Sequence, residues 1–151
     1  MKDNREDQAQ GIWCREADAG PGATSEAEIR TLVHAFYSRI REDAELGPIF
    51  NGEIGDWDTH LAKMYDFWSS VMLTTGRYKG QPMRAHLKLK QVTPKHFDRW
   101  LTLFRQTAEE VCAPETAERF IEKAARIAES LQLGMFFKPA QADPARRAGC
   151  C

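Results

Sequence analysis

The chain has 151 residues, with 21 Lys and Arg against 22 Asp and Glu, a formal net charge of −1. That length suits one domain large enough to bury a full hydrophobic core. The charge balance argues against a protein that binds nucleic acid by neutralising phosphates, and no apolar run nears the roughly 18–20 residues of a membrane helix.

Met1 to Gln10 is polar and carries no apolar stretch, so the N-terminal residues predict no secretory signal. The four cysteines, Cys14, Cys112, Cys150 and Cys151, form no C-x-x-C pair and no zinc pattern. Reduced thiols in a cytoplasmic protein are the expectation, with Cys150 and Cys151 in a flexible tail. Composition divides the chain into a polar arm over residues 1–24, a core over 25–137 and a second tail over 138–151.

Within the core, Ser25 and Glu28 have the spacing of a capping box. Ile29, Leu32, Val33, Phe36 and Ile40 then recur with helical period. Leu46-Gly47-Pro48 is the expected stop, with Ile49-Phe50 a short apolar corner. Trp57, Leu61, Met64, Trp68 and Val71 mark a second long helix, capped by Asp56 and ended by Gly76 and Gly80. Pro82 to Leu89 fits a helix of about two turns. Thr93-Pro94 is a helix start, with Val92 and Phe97 placed to staple across it. Phe97, Leu101, Phe104 and Ala108 carry the third long helix, which Ala113-Pro114 breaks. Phe120, Ile121, Ala124, Ile127, Ala128 and Leu131 carry the fourth, with Gly134 as its expected C-cap. No stretch shows sustained period-two alternation, so the class is all-α.

Histidine is the scarce chemical resource: His34, His60, His86 and His96. His34 and His96 read as ordinary surface residues. His60 shares a helical face with Met64, Phe67 and Val71. His86 lies in the short segment Pro82 to Leu89. The spacing of 26 from His60 to His86 excludes a tight zinc cluster but suits two helices on either side of a planar cofactor. Tyr37 and Trp100 are aromatic residues with polar tips that need partners when buried. If they converge with His60, three hydrogen-bond donors enter one apolar pocket, which suits a small polar ligand.

Phe36-Tyr37, the corner Leu46 to Phe50, and Trp57-x-x-His60-Leu61-x-x-Met64-x-x-Phe67-Trp68 together resemble the group III truncated haemoglobins of bacteria. So do Gly76-x-Tyr78-x-Gly80-x-Pro82 leading to His86, and His96-Phe97-x-x-Trp100-Leu101-x-Leu103-Phe104. The resemblance spans about Ile29 to Phe137, and the paired-glycine motifs of groups I and II are missing. The link from Phe50 to Trp57 is shorter than in some family members.

The resemblance implies a truncated globin fold, a two-over-two helical sandwich enclosing haem b (iron protoporphyrin IX). It implies His86 as proximal iron ligand and Tyr37, His60 and Trp100 as the polar residues of the distal pocket. Phe50 would pack on the porphyrin, and Met64, Phe67 and Trp68 would line the apolar wall. Arg84 is a candidate to neutralise the haem propionates, with Arg77 and Lys79 beside it. The implied ligands are O2, NO and CO. Donors aimed at a gas that draws negative charge slow its release, so retention or sensing fits better than transport. NO- or peroxide-directed redox chemistry, of the dioxygenase or peroxidase kind, would need a separate electron-donor protein, since the core uses up the chain. The alternative reading is a haem-free helical interaction module in which His60 and His86 are ordinary residues.

Overall fold

The computed structural model describes residues 24–137. The expected tail over 138–151, and the arm up to residue 23, lie outside the described residues, and Cys14, Cys150 and Cys151 with them. Thr24, the last residue assigned to the arm, is buried. Among the described residues the secondary structure is entirely helical. The helices are α1 (Glu26–Glu42), α2 (Gly47–Glu53), α3 (Trp57–Leu73), α4 (Pro82–Leu87), α5 (Pro94–Val111) and α6 (Pro114–Phe136).

The capping box that opens α1 is formed. Ser25 Oγ accepts the Glu28 N–H at 3.1 Å, and the Glu28 carboxylate accepts the Ser25 N–H at 3.2 Å. Such a cap contributes about 1 kcal/mol by satisfying amides that have no intrahelical partner. The apolar stripe Ile29, Leu32, Val33, Phe36, Ile40 is buried throughout, as its spacing predicts.

Leu46-Gly47-Pro48 does not end α1. That helix stops at Glu42, and the Asp43 carboxylate accepts the N–H groups of Glu45 and Leu46 at 3.1 and 2.9 Å. Those bonds turn the chain, so Leu46 to Pro48 open α2 instead. Ile49-Phe50, expected as a corner, lies inside that short helix. Gly47 is required there because a Cβ would stand 2.8 Å from the Arg41 carbonyl oxygen.

Asp56 caps α3 as expected, accepting the Thr59 N–H at 3.3 Å and its hydroxyl at 2.6 Å. The helix ends at Leu73, ahead of the predicted Gly76. Thr74 takes the left-handed conformation at φ 55°, and its N–H bonds to the Ser70 carbonyl. At the start of α5, His96 is more than a surface residue. Its Nδ1 accepts the Thr93 N–H at 2.9 Å and so closes a reciprocal cap. Val92 and Phe97 join one apolar cluster, as a staple requires.

Helix α6 runs through Gly134, which is therefore no C-cap. The Met83 side chain of α4 occupies the space a Cβ at Gly134 would fill. A glycine near a helix end signals a cap in sequence; here it is a notch for a neighbour.

Two helix pairs make the sandwich. α1 packs on α3, α5 packs on α6, and α1 crosses α5. Aromatic rings fill the layer between them. Trp68 stacks on Phe104 at 5.2 Å, Phe104 stacks on Trp100 at 5.3 Å, and Trp68 leans on Phe120 at 5.6 Å. Phe36, Phe104 and Phe120 are fully buried, and truncating any one to Ala would cost about 3–5 kcal/mol. The small residues Ala108, Ala117 and Ala124 are also buried in this core, leaving room for these rings. A second cluster of Phe97, Ala128 and Leu131, joined by Met83, holds α4 against the end of α6.

Candidate functional site

Tyr37 projects from α1 and His60 from the first turn and a half of α3. Their rings meet edge to face, 5.1 Å between centroids and 86° between planes. Phe50 of α2 lies 6.1 Å from Tyr37. Three helices thus bring Tyr37, Phe50 and His60 together. Trp100 of α5 joins them through Phe36, which lies 5.0 Å from Tyr37 and 5.3 Å from Trp100.

The electrostatics of this corner favour neutral groups. Burial pushes the Tyr37 phenol far above its ordinary range, so it stays an O–H donor at any physiological pH. Burial, seconded by the positive charge of Lys63, pulls His60 down from 6.5 to about 4. A neutral imidazole offers one donor and one acceptor nitrogen. The His60 Nε2 is buried and has no hydrogen-bond partner. A buried polar atom left unpaired costs about 1–3 kcal/mol, and native proteins keep few of them. Such an atom beside a protonated phenol marks a place where a polar ligand would be received.

Met64 and Phe67, on the His60 face of α3, are half-buried against the main core. Phe67 is edge-on to Tyr78 at 5.2 Å and to Trp68 at 5.6 Å. Trp68 is only 3% exposed and belongs to the stacked aromatic layer.

His86 sits on the other side of the chain's topology, on the six-residue α4. Its Nδ1 lies 2.7 Å from the Pro82 carbonyl oxygen, one helical turn back. With the ring N–H donated to that carbonyl, Nε2 keeps its lone pair. That tautomer can ligate a metal through Nε2. Phe97 flanks the ring at 6.4 Å.

The basic residues separate clearly. The Arg77 guanidinium holds both carboxylate oxygens of Glu26 at 2.6 and 2.7 Å and approaches Asp66 at 3.4 Å. Its charge is already matched. Arg84 and Lys79 are exposed, and Arg84 has only a long 3.5 Å contact to Gln81.

Trp57, expected from the sequence as part of the helix stripe and of the motif but with no site role, also borders this corner. It opens α3 and packs edge to face on His60 at 5.5 Å and 84°. It also lies 6.0 Å from Tyr37, and the Arg41 guanidinium covers its face at 4.7 Å. The available signal was position: three residues before His60 on one helix face.

An all-helical sandwich of two helix pairs, with a tyrosine and a histidine meeting in one corner and a second histidine on a short separate helix, is the truncated globin architecture. The chain belongs to the bacterial-like globin family, whose match spans residues 22–133. Within it, the chain is 36% identical over 118 residues to the group 3 truncated haemoglobin ctb of Campylobacter jejuni, covering 76% of this chain and 92% of that protein. The crystal structure of the group III truncated haemoglobin from Campylobacter jejuni superposes with a TM-score of 0.72 at 34% identity, covering 76% of this chain and 93% of the other. The resemblance read from the sequence is thus confirmed, and membership implies a haem cofactor. No helix among the described residues is long and apolar enough to cross a membrane.

Proposed function

We propose that this chain is a cytoplasmic haem b protein that binds diatomic gases, O2, NO or CO, in a polar distal pocket. His86 would hold the iron through Nε2, oriented by the Nδ1 bond to Pro82. Haem would supply the iron chemistry that binds a diatomic gas. Tyr37, His60 and Trp100 would face the bound gas, Phe50 would pack on the porphyrin, Met64, Phe67 and Trp68 would line the apolar wall, and Arg84 would meet a propionate.

One observation carries this reading: the buried, unpartnered Nε2 of His60 in edge contact with a phenol that burial keeps protonated. A dry core would leave that atom at a penalty. A ligand with a partial negative charge removes it. Each hydrogen bond to such a ligand contributes about 1.5–3 kcal/mol, and about 1.4 kcal/mol is tenfold in affinity. A pocket built this way retains its gas, so storage, sensing or reaction suits it better than delivery.

The proximal side also speaks to chemistry. A strong electron push toward bound peroxide needs a carboxylate on the far nitrogen of the ligating histidine. His86 has a backbone carbonyl there. Gas binding is therefore better supported than peroxide cleavage. Turnover of NO would draw electrons from a separate reductase.

The test is a set of absorption spectra of the ferric, ferrous and CO-bound protein, beside His86→Ala. A Soret band that shifts on CO binding is expected, with the five-coordinate ferrous signature abolished in His86→Ala and recovered with added imidazole. A colourless protein that takes up no haem, or a His86→Ala spectrum identical to the parent, overturns the reading.

A further inference from the structure

The surface beside α4 carries charge and apolar area that the gas site does not use. From residue 67 to residue 97 the chain holds six basic residues and no acidic one, although its overall net charge is −1. Arg77 is matched by Glu26 and Asp66, and Arg84 is assigned above to a propionate. Lys79, Lys88, Lys90 and Lys95 are exposed, and none makes an ion pair with another described residue. Lys88 and Lys90 share one tight turn, in which the Lys90 N–H donates to the Lys88 carbonyl at 3.1 Å. Beside them lies a groove of about 360 Å³, with Leu87, Leu89 and Val92 on one side and Met135 and Phe136 of α6 on the other. Lys90 forms part of its wall. Leu87, Leu133 and Phe137 are three of the four large apolar side chains exposed among the described residues, and all three lie on these two segments.

We propose that the turn from Leu87 to Lys95, with the end of α6, is the docking surface for an acidic one-electron donor protein that reduces the haem iron. The inference rests on the haem reading above. Ferric haem does not hold O2, so each oxidation of the iron leaves one electron to be restored. That electron leaves the donor's reduced centre and enters the iron; the donor is oxidised by one, and no bond or proton changes hands. Charge complementarity sets the sign of the donor, because a lysine-rich rim with no carboxylate steers an acidic surface toward it and repels a basic one. The groove sets its shape. An apolar slot inside a charged rim is the anatomy of a protein interface, and a concave slot takes a projecting apolar side chain that a flat bilayer does not offer. Position sets its purpose. Leu87 follows His86 directly, so a donor seated on Leu87 stands one residue from the proposed iron ligand.

The probe is a plant-type [2Fe–2S] ferredoxin, an acidic one-electron donor, reduced and mixed with the ferric holoprotein in a stopped-flow instrument. The second-order reduction rate is expected to fall about tenfold as ionic strength rises from about 0.01 to 0.3 M. Lys88→Glu with Lys90→Glu should slow it about tenfold or more at the lower salt. Arg119→Glu with Lys123→Glu makes the same charge change at exposed positions of α6, twelve or more residues before Met135, and should leave the rate near the parent's. Leu87→Ser should weaken the complex about five- to tenfold while keeping the salt dependence. Reduction by dithionite and the CO-bound spectrum should be alike in all of them. As a readout independent of electron transfer, amide signals of the 15N-labelled CO-bound protein that shift or broaden on adding ferredoxin should be confined to residues 87–95 and 133–137.

A rate that ignores Lys88→Glu with Lys90→Glu, or that the α6 pair slows equally, overturns the docking surface, since net charge alone would then act. Amide signals perturbed elsewhere on the molecule overturn it too. Vesicles of phosphatidylglycerol form the other arm: sedimentation of the parent with them through Lys88 and Lys90, with ferredoxin rates indifferent to both, assigns the face to lipid and overturns the proposal. A protein that binds no haem overturns the gas-binding reading and the docking surface together. A haem protein whose reduction ignores the lysines overturns the docking surface alone.

Discussion

The Nδ1 of His86 and the carbonyl oxygen of Pro82 lie 2.7 Å apart across a single turn of α4. This local bond fixes both the tautomer and the orientation of the imidazole, using no residue from any other helix. Because the acceptor is backbone, no side-chain substitution removes it. Replacing Pro82 with Ala keeps the carbonyl but frees φ at the first position of a six-residue helix. Pro82→Ala is expected to retain haem while broadening the iron–histidine stretching band in resonance Raman spectra.

Tyr37→Phe removes one donor and leaves the packing of the ring intact. O2 dissociation from the ferrous protein is expected to speed up about 10- to 100-fold, as loss of one hydrogen bond to a charged acceptor implies. Stopped-flow displacement of O2 by CO measures this. An unchanged rate would mean that the phenol does not reach the gas.

Acid stability should fall in two separable windows. His60 titrates at about 4 in the folded chain against an ordinary 6.5, chiefly through burial. The unfolded chain therefore takes up that proton first, and the stability it represents is present above pH 6.5 and lost as pH falls toward 4. Denaturant midpoints measured from pH 7 to pH 4 should decline in the parent and flatten in His60→Leu.

Below that window Asp43 takes over. Its side chain is 4% exposed, and Arg99 Nη2 stands 2.5 Å away, with the Glu45 and Leu46 N–H groups also bonded to it. The Arg99 hydrogen bond, ahead of those backbone bonds, holds its carboxyl below the ordinary 3.8. Its contribution is present above pH 3.8 and is lost as pH falls further. Asp43→Asn should lower the denaturant midpoint at pH 7 and narrow the difference from the parent near pH 3. The effect of the exposed Arg99 end is reduced by solvent screening.

Gly134→Ala sets two terms against each other. Alanine in a helix interior gains about 1 kcal/mol over glycine. The new methyl displaces Met83, whose flexible end can move but whose packing ties α4 to α6. The thermal midpoint is expected to change little, while haem transfer to an acceptor globin speeds up because α4 carries His86. A large loss of thermal stability would contradict this balance.

Much of the fold was legible because its signals are local. The Ser25–Glu28 box, the Asp56 cap and the Thr93-Pro94 start each need only residues within one turn, and each formed where the spacing put it. One error came where a distant residue decides: Gly134 reads as a cap until Met83 is seen to fill its notch. Another was local: Leu46 to Pro48 read as a stop unless the Asp43 carboxylate, three residues upstream, is recognised as the cap that turns the chain into α2. The site divides the same way. The i−4 bond of His86 is written into the spacing of Pro82 and His86. The meeting of Tyr37 with His60 depends on how α1 packs on α3, which no spacing encodes; the polar tips of buried aromatics raised it as a condition, and the family resemblance implied it. Trp57 reads from the sequence by its place in the α3 stripe alone, because its contacts with Tyr37 and with Arg41, sixteen residues upstream by sequence number, come from another helix.

Helix α4 has six residues, none of them fully buried, and it is anchored chiefly by Met83 in the α6 notch. Segments with so few apolar contacts open locally at a small fraction of the global unfolding free energy. On the proposed assignment of His86, the turn that would hold the cofactor is therefore expected to fray early, among the described residues, when the cofactor leaves. Amide exchange over residues 82–87 would then report occupancy directly, rapid in the empty protein and slow once a porphyrin bridges this turn to the rest of the sandwich.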